Sequence, residues 1–336
     1  MEAFVMTEYG GPTASEFREV ERPQPGRDEV LVKVHAAGLN PVDYKIREGK
    51  LKAILRFPLP TVMGSELSGI VESVGEGVSK FAPGDRVFAR MPKDKMGAFA
   101  EYAVVPAKFL ARVPDALSLS DAAGVPLAGL TALQALRDEI GLKPGSRVFI
   151  SAGAGGVGTF AIQIAKSLGA EVATTASPRG RELVERLGAD EVIDYTSQRF
   201  RDRLSDMDGA LDLTGGDDLT DAFAIVKPGA TVVSVAALPE PQTARKDLDM
   251  GPMMATVFWF ISRNLRKEAR KNDANYRFLF MRPSGPDLAA LAGLIEAGRL
   301  QPVVDRVFPF AEMKEAMAYL ESGRAKGKVI VEMAKE

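Results

Sequence analysis

Ser151-Ala152-Gly153-Ala154-Gly155-Gly156-Val157-Gly158 is the stretch on which the reading of this chain turns. Just before it, Arg147-Val148-Phe149-Ile150 is a short apolar, β-branched run that reads as a buried strand. Just after it, Thr159 to Leu168 carries apolar residues at 160, 161, 162, 164, 165 and 168, the spacing of a helix packed on a sheet. A second strand, Glu171 to Ala176, follows the Gly169 stop signal and completes a βαβ unit. Gly153, Gly155 and Gly158 fill the three glycine places of the dinucleotide fingerprint. The first permits a tight turn, the second a close approach of backbone to a pyrophosphate, and the third close packing of helix on strand. Ala154, Gly156 and Val157 complete the loop, and the helix N-terminus points free N–H groups and its positive dipole end at the phosphates.

The 336 residues suffice for two domains, and a chain that is 46% hydrophobic and 26% charged is an ordinary globular one. A net charge of −2 offers no general attraction to nucleic acid. With no cysteine, disulfides, thiolate catalysis and cysteine-ligated metals are excluded, and the single histidine, His35, removes any multi-histidine metal site. His35 lies in an alternating strand and reads as a packing or surface residue. The start of the chain lacks the pattern of a signal peptide. The longest apolar stretch, Met253 to Ile261, is far short of the ~20 residues of a spanning helix. A cytoplasmic enzyme, or an organellar one stripped of its presequence, is expected.

Residues 1 to about 122 read as strands and turns, with Val30 to Ala36 and Ile70 to Val74 as strands and Pro58 to Pro60, Gly75, Gly77 and Pro83-Gly84-Asp85 as loops. This predicts an antiparallel, barrel-like β domain. Ser120 to Leu136 opens on a helix N-cap pattern, and from there strands and helices alternate. Helices are predicted over Arg181 to Leu187 and Pro286 to Ala297, strands over Glu191 to Asp194, Gly209 to Leu213 and Thr231 to Val235. The tail, with strands Val303 to Val307 and Lys328 to Val331 flanking a helix from Ala311 to Ser322, is expected to return to the first domain. Domains are thus placed at 1–122 with 302–336, and at 123–301. Residues about 240 to 282 leave alternatives open. Phe258-Trp259-Phe260 followed by Arg263, Arg266, Lys267, Arg270 and Lys271 reads as a core-packed helix with a solvated basic face, a lid over an apolar substrate, a dimer surface, or a membrane-touching helix.

Ala37-Gly38-Leu39-Asn40-Pro41-Val42-Asp43, Gly64-Ser65-Glu66-Leu67-Ser68-Gly69, Ala123-Gly124-Val125-Pro126-Leu127, Gly129-Leu130-Thr131-Ala132, the glycine loop and Gly327-Lys328-Val329 together resemble the medium-chain dehydrogenase/reductase superfamily. Within it the chain is similar to the zinc-independent quinone oxidoreductase and 2-alkenal (enone) reductase branch. The resemblance covers nearly the whole chain and implies a GroES-like β-barrel catalytic domain plus a Rossmann doubly wound parallel sheet, an α/β fold. Zinc members carry a cysteine where Asn40 stands and a His-Glu pair where Ser65-Glu66 stands, so the resemblance itself implies no metal.

The acid that binds the ribose of NAD is absent past the loop, where Thr175-Ala176-Ser177-Pro178-Arg179-Gly180-Arg181 stands instead. A hydroxyl at Ser177 and guanidinium groups at Arg179 and Arg181 suit a 2′-phosphate. The resemblance adds Tyr195 to that site, and the expected cofactor is NADPH. It also places Thr131 beside the nicotinamide, with backbone groups of Ser234-Val235 and Gly327-Lys328 holding the carboxamide. Asn40, Asp43 and Tyr44 then line the substrate side, with apolar walls from Leu67, Met91 and the region of Trp259. Hydride is expected to pass to a quinone or to the β-carbon of an α,β-unsaturated carbonyl. Asn40 or a cofactor ribose hydroxyl then steadies the oxygen, and water or Tyr44 supplies the proton. Asp43 reads equally as a structural partner of its own turn, and Glu66 as a structural carboxylate. The partners expected are a small-molecule substrate and a second copy in a homodimer, with no nucleic acid. The alternative is a non-catalytic NADPH-binding structural protein, crystallin-like, or an interaction protein.

Overall fold

The computed structural model describes residues 1–333. Its early strands are β1 (Glu2–Met6), β2 (Ser15–Glu19), β3 (Glu29–Leu39), β4 (Thr61–Val62), β5 (Glu66–Val74), β6 (Arg86–Arg90), β7 (Tyr102–Pro106) and β8 (Leu110–Arg112). They are interrupted by α1 (Pro41–Arg47) and followed by α2 (Leu119–Ala122) and α3 (Pro126–Leu133). β1 pairs antiparallel with β2 and β4. The long β3 pairs antiparallel with both β5 and β7, and the ladder continues through β6 to β8. Val30, Leu31, Val32, Val34 and Ala36 of β3 are buried on both pleat faces, whereas His35 projects to solvent. A strand clothed on both sides needs that continuous β-branched run.

The next six strands are β9 (Arg147–Ile150), β10 (Glu171–Ala176), β11 (Glu191–Asp194), β12 (Met207–Asp212), β13 (Val226–Ser234) and β14 (Asn275–Phe278). They form one all-parallel sheet in the order β11-β10-β9-β12-β13-β14, a doubly wound sheet whose direction of travel reverses between β9 and β12. The helices between them are α4 (Gly156–Ser167), α5 (Pro178–Arg186), α6 (Gly216–Ile225), α7 (Pro252–Ile261) and α8 (Arg263–Lys271). The core of this unit gathers Phe149, Ile193, Phe200, Met207, Leu219 and Phe223, with the rings of Phe149 and Phe200 stacked 4.3 Å apart. α9 (Gly285–Glu296), β15 (Val304–Pro309), α10 (Met313–Glu321) and β16 (Lys328–Glu332) complete the chain. β16 pairs antiparallel with β3, so the tail rejoins the first sheet.

Two compact units result, residues 1–130 with 283–333, and residues 131–282. The expected boundaries at 122/123 and 301/302 therefore move; of the expected 302–336, residues 334–336 lie outside the described part. α2 packs on β3, β5 and β16, and α9 packs on β8, which keeps both with the first unit. The N-cap also sits at Ser118, whose hydroxyl accepts from Asp121 N at 3.0 Å, rather than at Ser120. Helical period 120–136 resolves into α2, α3 and a π-helical stretch over 134–140.

Strand β14 has no counterpart in the sequence reading. Its Arg277 is buried and held by Glu139 at 3.0 Å, Glu240 at 3.1 Å and Asp247 at 2.6 Å. Two π-helical segments, 134–140 and 243–247, deliver Glu139 and Asp247 to it. A buried cation at a core position hides the apolar alternation by which strands are read.

Candidate functional site

In the second unit the start of the glycine loop is tied to β10. Ala152 N–H donates to Thr175 Oγ1 at 2.9 Å, and Gly153 N–H to Thr175 O at 3.0 Å. A Cβ on Gly153 would overlap Thr174 Oγ1, and one on Gly158 would overlap Ala152 O and Gly153 Cα. Both glycines are therefore demanded by packing. Gly155 differs: a Cβ there meets only Ala152 O, at 3.2 Å, and otherwise open space. Gly155 is the N-cap of α4 and offers no side chain, so the first-turn N–H groups of Gly156, Val157 and Gly158 find no partner within the helix. Ala154 to Val157 are partly exposed. The loop thus presents bare donors, a dipole and a cleared approach, and the residues fit a dinucleotide pyrophosphate.

Beyond β10 stands Ser177, the N-cap of α5, whose hydroxyl caps nothing. Arg179 is exposed in the first turn of α5. Arg181 is turned to Glu185 at 3.1 Å and Val192 O at 3.0 Å. Tyr195, 60% exposed, follows β11. The sequence reading found no carboxylate here before Glu182, but β11 brings one from beside: Asp194 pairs in register with Ala176. Its Oδ1 accepts from Thr196 Oγ1 at 2.7 Å and Thr196 N at 3.0 Å, and these bonds hold the carboxyl below its ordinary value. At the switch point, Asp212 is buried and receives Ser234 Oγ at 2.6 Å. Val235 N–H is likewise engaged, by Asp212 O at 3.1 Å. Thr131 is buried at the head of this unit.

In the first unit a different arrangement stands where Asn40, Ser65 and Glu66 meet. The Lys328 ammonium donates to Asn40 Oδ1 at 2.5 Å, Glu66 Oε1 at 2.7 Å and Leu39 O at 3.2 Å. Asn40 Nδ2 donates to Glu66 Oε1 at 2.7 Å and Gly38 O at 3.3 Å, and Leu127 N–H to Glu66 Oε2 at 2.6 Å. All three side chains are buried. Gly327 makes this possible, since its φ of 96° and its press against Val303 O admit no side chain. Alongside, Asp43 accepts from Ser65 Oγ at 2.5 Å and Asn40 N at 2.8 Å, which caps α1. Burial pushes the Asp43 carboxyl up to about 6 and the Arg90 guanidinium down to about 10.

Every donor of Lys328 and both N–H bonds of the Asn40 amide are therefore occupied from within. Tyr44 is otherwise: partly exposed, with a hydroxyl that makes no hydrogen bond among the described residues and a pKa raised chiefly by burial. Leu67 and Met91 are fully buried, and Trp259 stands 44% exposed on α7, in the other unit. The sequence reading assigned Lys328 to the cofactor by its backbone and missed its ammonium. A lysine opening the apolar strand β16 and a glutamate opening β5 were the available signal.

A catalytic zinc ion needs three nitrogen, sulfur or oxygen ligands and an open position. Here an ammonium stands against Asn40 and Glu66, no thiolate exists in the sequence, and the one imidazole is on an exposed face. These residues do not fit zinc.

Residues 26–115 match the alcohol dehydrogenase GroES-like domain family and residues 187–331 the zinc-binding dehydrogenase family. The chain is 37% identical to the mitochondrial NAD(P)H oxidoreductase RTN4IP1 of Danio rerio, over 92% of this chain and 84% of that one. It is 36% identical to the chloroplastic NADPH-dependent alkenal/one oxidoreductase of Arabidopsis thaliana, over 98% and 79%. Among solved structures, the quinone oxidoreductase from Coxiella burnetii superposes with a TM-score of 0.85 at 30% identity over 99% of both chains. Both curated relatives are named for organelles, in contrast to the cytoplasmic location expected here, and no helix among the described residues is long and apolar enough to cross a membrane. By its two matched domains, its doubly wound sheet and these relatives, the chain belongs to the medium-chain dehydrogenase/reductase superfamily, in the branch of quinone oxidoreductases and alkenal/one reductases.

Proposed function

We propose that this protein is an NADPH-dependent reductase of quinones or of the activated C=C bond of α,β-unsaturated carbonyls, and that it works without a metal. The observation that carries the reading is the clearing at Gly155 above the first turn of α4, where backbone donors await an anion. NADPH supplies a hydride from C4 of its nicotinamide ring when bound. Ser177 and Arg179, at the start of α5, suit the 2′-phosphate. The Arabidopsis relative, named for NADPH and alkenals or enones, supports both halves of the reading.

In the first unit, Lys328 takes the part of a fixed internal cation. It neutralises Glu66 and locks the Asn40 amide, so Asn40 serves as a brace and not as a donor to the substrate oxygen. Tyr44 retains a free hydroxyl that stays protonated at neutral pH, and it is the side chain that gives a proton to the developing enolate. Hydride addition at the β-carbon and protonation at the α-carbon saturate the double bond; a quinone takes the same hydride and its protons on oxygen. The homodimer expected from the resemblance belongs to this reading, and light scattering at twice the chain mass would support it.

The test is NADPH oxidation followed at 340 nm against alkenals, cyclic enones and quinones, with a chelator present throughout. Turnover of any of these acceptors with chelator supports the reading. Nucleotide binding without turnover on the whole panel would replace it with the crystallin-like alternative, and activity that needs added zinc would end it.

A further inference from the structure

Five of the chain's most exposed large apolar side chains lie on one ten-residue helix. On α7, Met253 is 77% exposed and Phe260 63%, with Val257, Trp259 and Ile261 all above 40%. Met253, Val257, Phe260 and Ile261 fall at i, i+4, i+7 and i+8, a single helix face. Only Ala255 and Phe258 are buried, so of the four readings left open a core-packed helix accounts for two of its ten residues. Helical bonding carries past Ser262, whose N–H donates to Phe258 O at 3.1 Å and whose O accepts Arg266 N–H at 3.0 Å, into α8. There Arg263, Arg266, Lys267, Arg270 and Lys271 face one acid, Glu268, which is tied to Lys271. Nine residues hold a net charge of +4 in a chain whose total is −2. The two helices are coupled at the seam. Arg266 lies 5.1 Å above the Trp259 ring and donates to Trp259 O at 2.7 Å.

We infer that α7 and α8 form a docking surface for an anionic lipid bilayer. The apolar face of α7, with its Trp and Phe, is of the kind that sits at the headgroup boundary. The adjoining cations answer anionic headgroups, whose field falls off within a Debye length of the membrane. Charge argues against a second copy as occupant: a twofold contact would set one +4 patch near another and repel. Recognition of a lipid surface here does not depend on the proposed chemistry.

Trp259 is the only tryptophan, so intrinsic fluorescence reads this helix alone. The experiment mixes the full chain with vesicles of phosphatidylcholine alone, or of phosphatidylcholine with 30% phosphatidylserine, at low and high salt, and follows emission and co-sedimentation. The expected result is a blue shift and sedimentation with the anionic vesicles, reversed by salt and absent with the neutral ones. A triple variant R263Q/K267Q/R270Q should bind anionic vesicles about 100-fold more weakly. Its melting temperature and NADPH affinity should match those of the parent, which shows that the variant is folded. No shift and no sedimentation with anionic vesicles at low salt overturns the inference. So does a blue shift without lipid that grows with protein concentration, the mark of self-association, or one that a soluble enone produces alone, the mark of a lid.

Discussion

The two polar centres of this molecule are built on opposite plans. In the first unit, every donor of the Lys328 ammonium and of the Asn40 amide is answered by an acceptor of the chain itself. Over Gly156 to Gly158 in the second, the backbone is arranged so that the first-turn donors find no partner within the helix. A saturated centre has nothing left to offer a ligand; an unsaturated one keeps donors that an anion can take. The same distinction separates Asn40 from Tyr44, which stand four residues apart on and beside α1. The resemblance made both of them candidates for the chemistry, and only hydrogen-bond accounting divides them.

The largest effect should come from opening the closed centre. Lys328→Met leaves Glu66 buried and unpaired, and should cost about 3–5 kcal/mol in urea unfolding. Adding Glu66→Gln to it should restore part of that loss. If Lys328→Met alone unfolds at the parent's midpoint, the cluster is not closed as described.

The next effect is pH-dependent. Asp43 titrates near 6 in the folded protein against an ordinary 3.8, because burial penalises its charge. Its contribution to stability is complete below about 3.8 and is lost as pH rises through about 6, a change of order 3 kcal/mol. Subtracting the unfolding free energies of Asp43→Asn from those of the parent between pH 4 and 7 isolates it. A flat difference would mean that Asp43 is better solvated than its burial implies.

On the open side, Gly155→Ala should leave the melting temperature within a few degrees and weaken NADPH binding about 100-fold, since the new methyl enters the cleared approach. Isothermal titration reads the loss; unaltered affinity would remove the loop from the nucleotide site. The smallest effect belongs to Tyr44→Phe, with turnover of an enone down about tenfold, NADPH affinity kept, and quinone turnover reduced less. Equal turnover with both acceptors would transfer the proton step to water.

How much of this the sequence disclosed follows from the range of the physics involved. β9, β10 and β11 begin and end where the apolar runs place them, because local alternation and the glycine stops fix short parallel strands. The loop's three glycines are legible for the same reason, each being required by neighbours a few residues away. β14 was lost because Arg277 is buried by partners 30, 37 and 138 residues distant. The Asn40 amide looked like a catalytic donor because nothing near it in sequence foretells Lys328. Asp194 escaped notice because it reaches the end of β10 through strand register, not through chain proximity.

That separation has a consequence for how the chain is made. Lys328 lies 262 residues after Glu66, so a growing polypeptide carries the carboxylate long before its counter-ion exists. Whatever the earlier strands do during synthesis, the Lys328–Glu66 ion pair cannot form until β16 has been made. Without Gly327 and Lys328, Glu66 would stand buried without its ion-pair partner, so the charge balance of the first sheet rests on residues made long after the sheet's own strands.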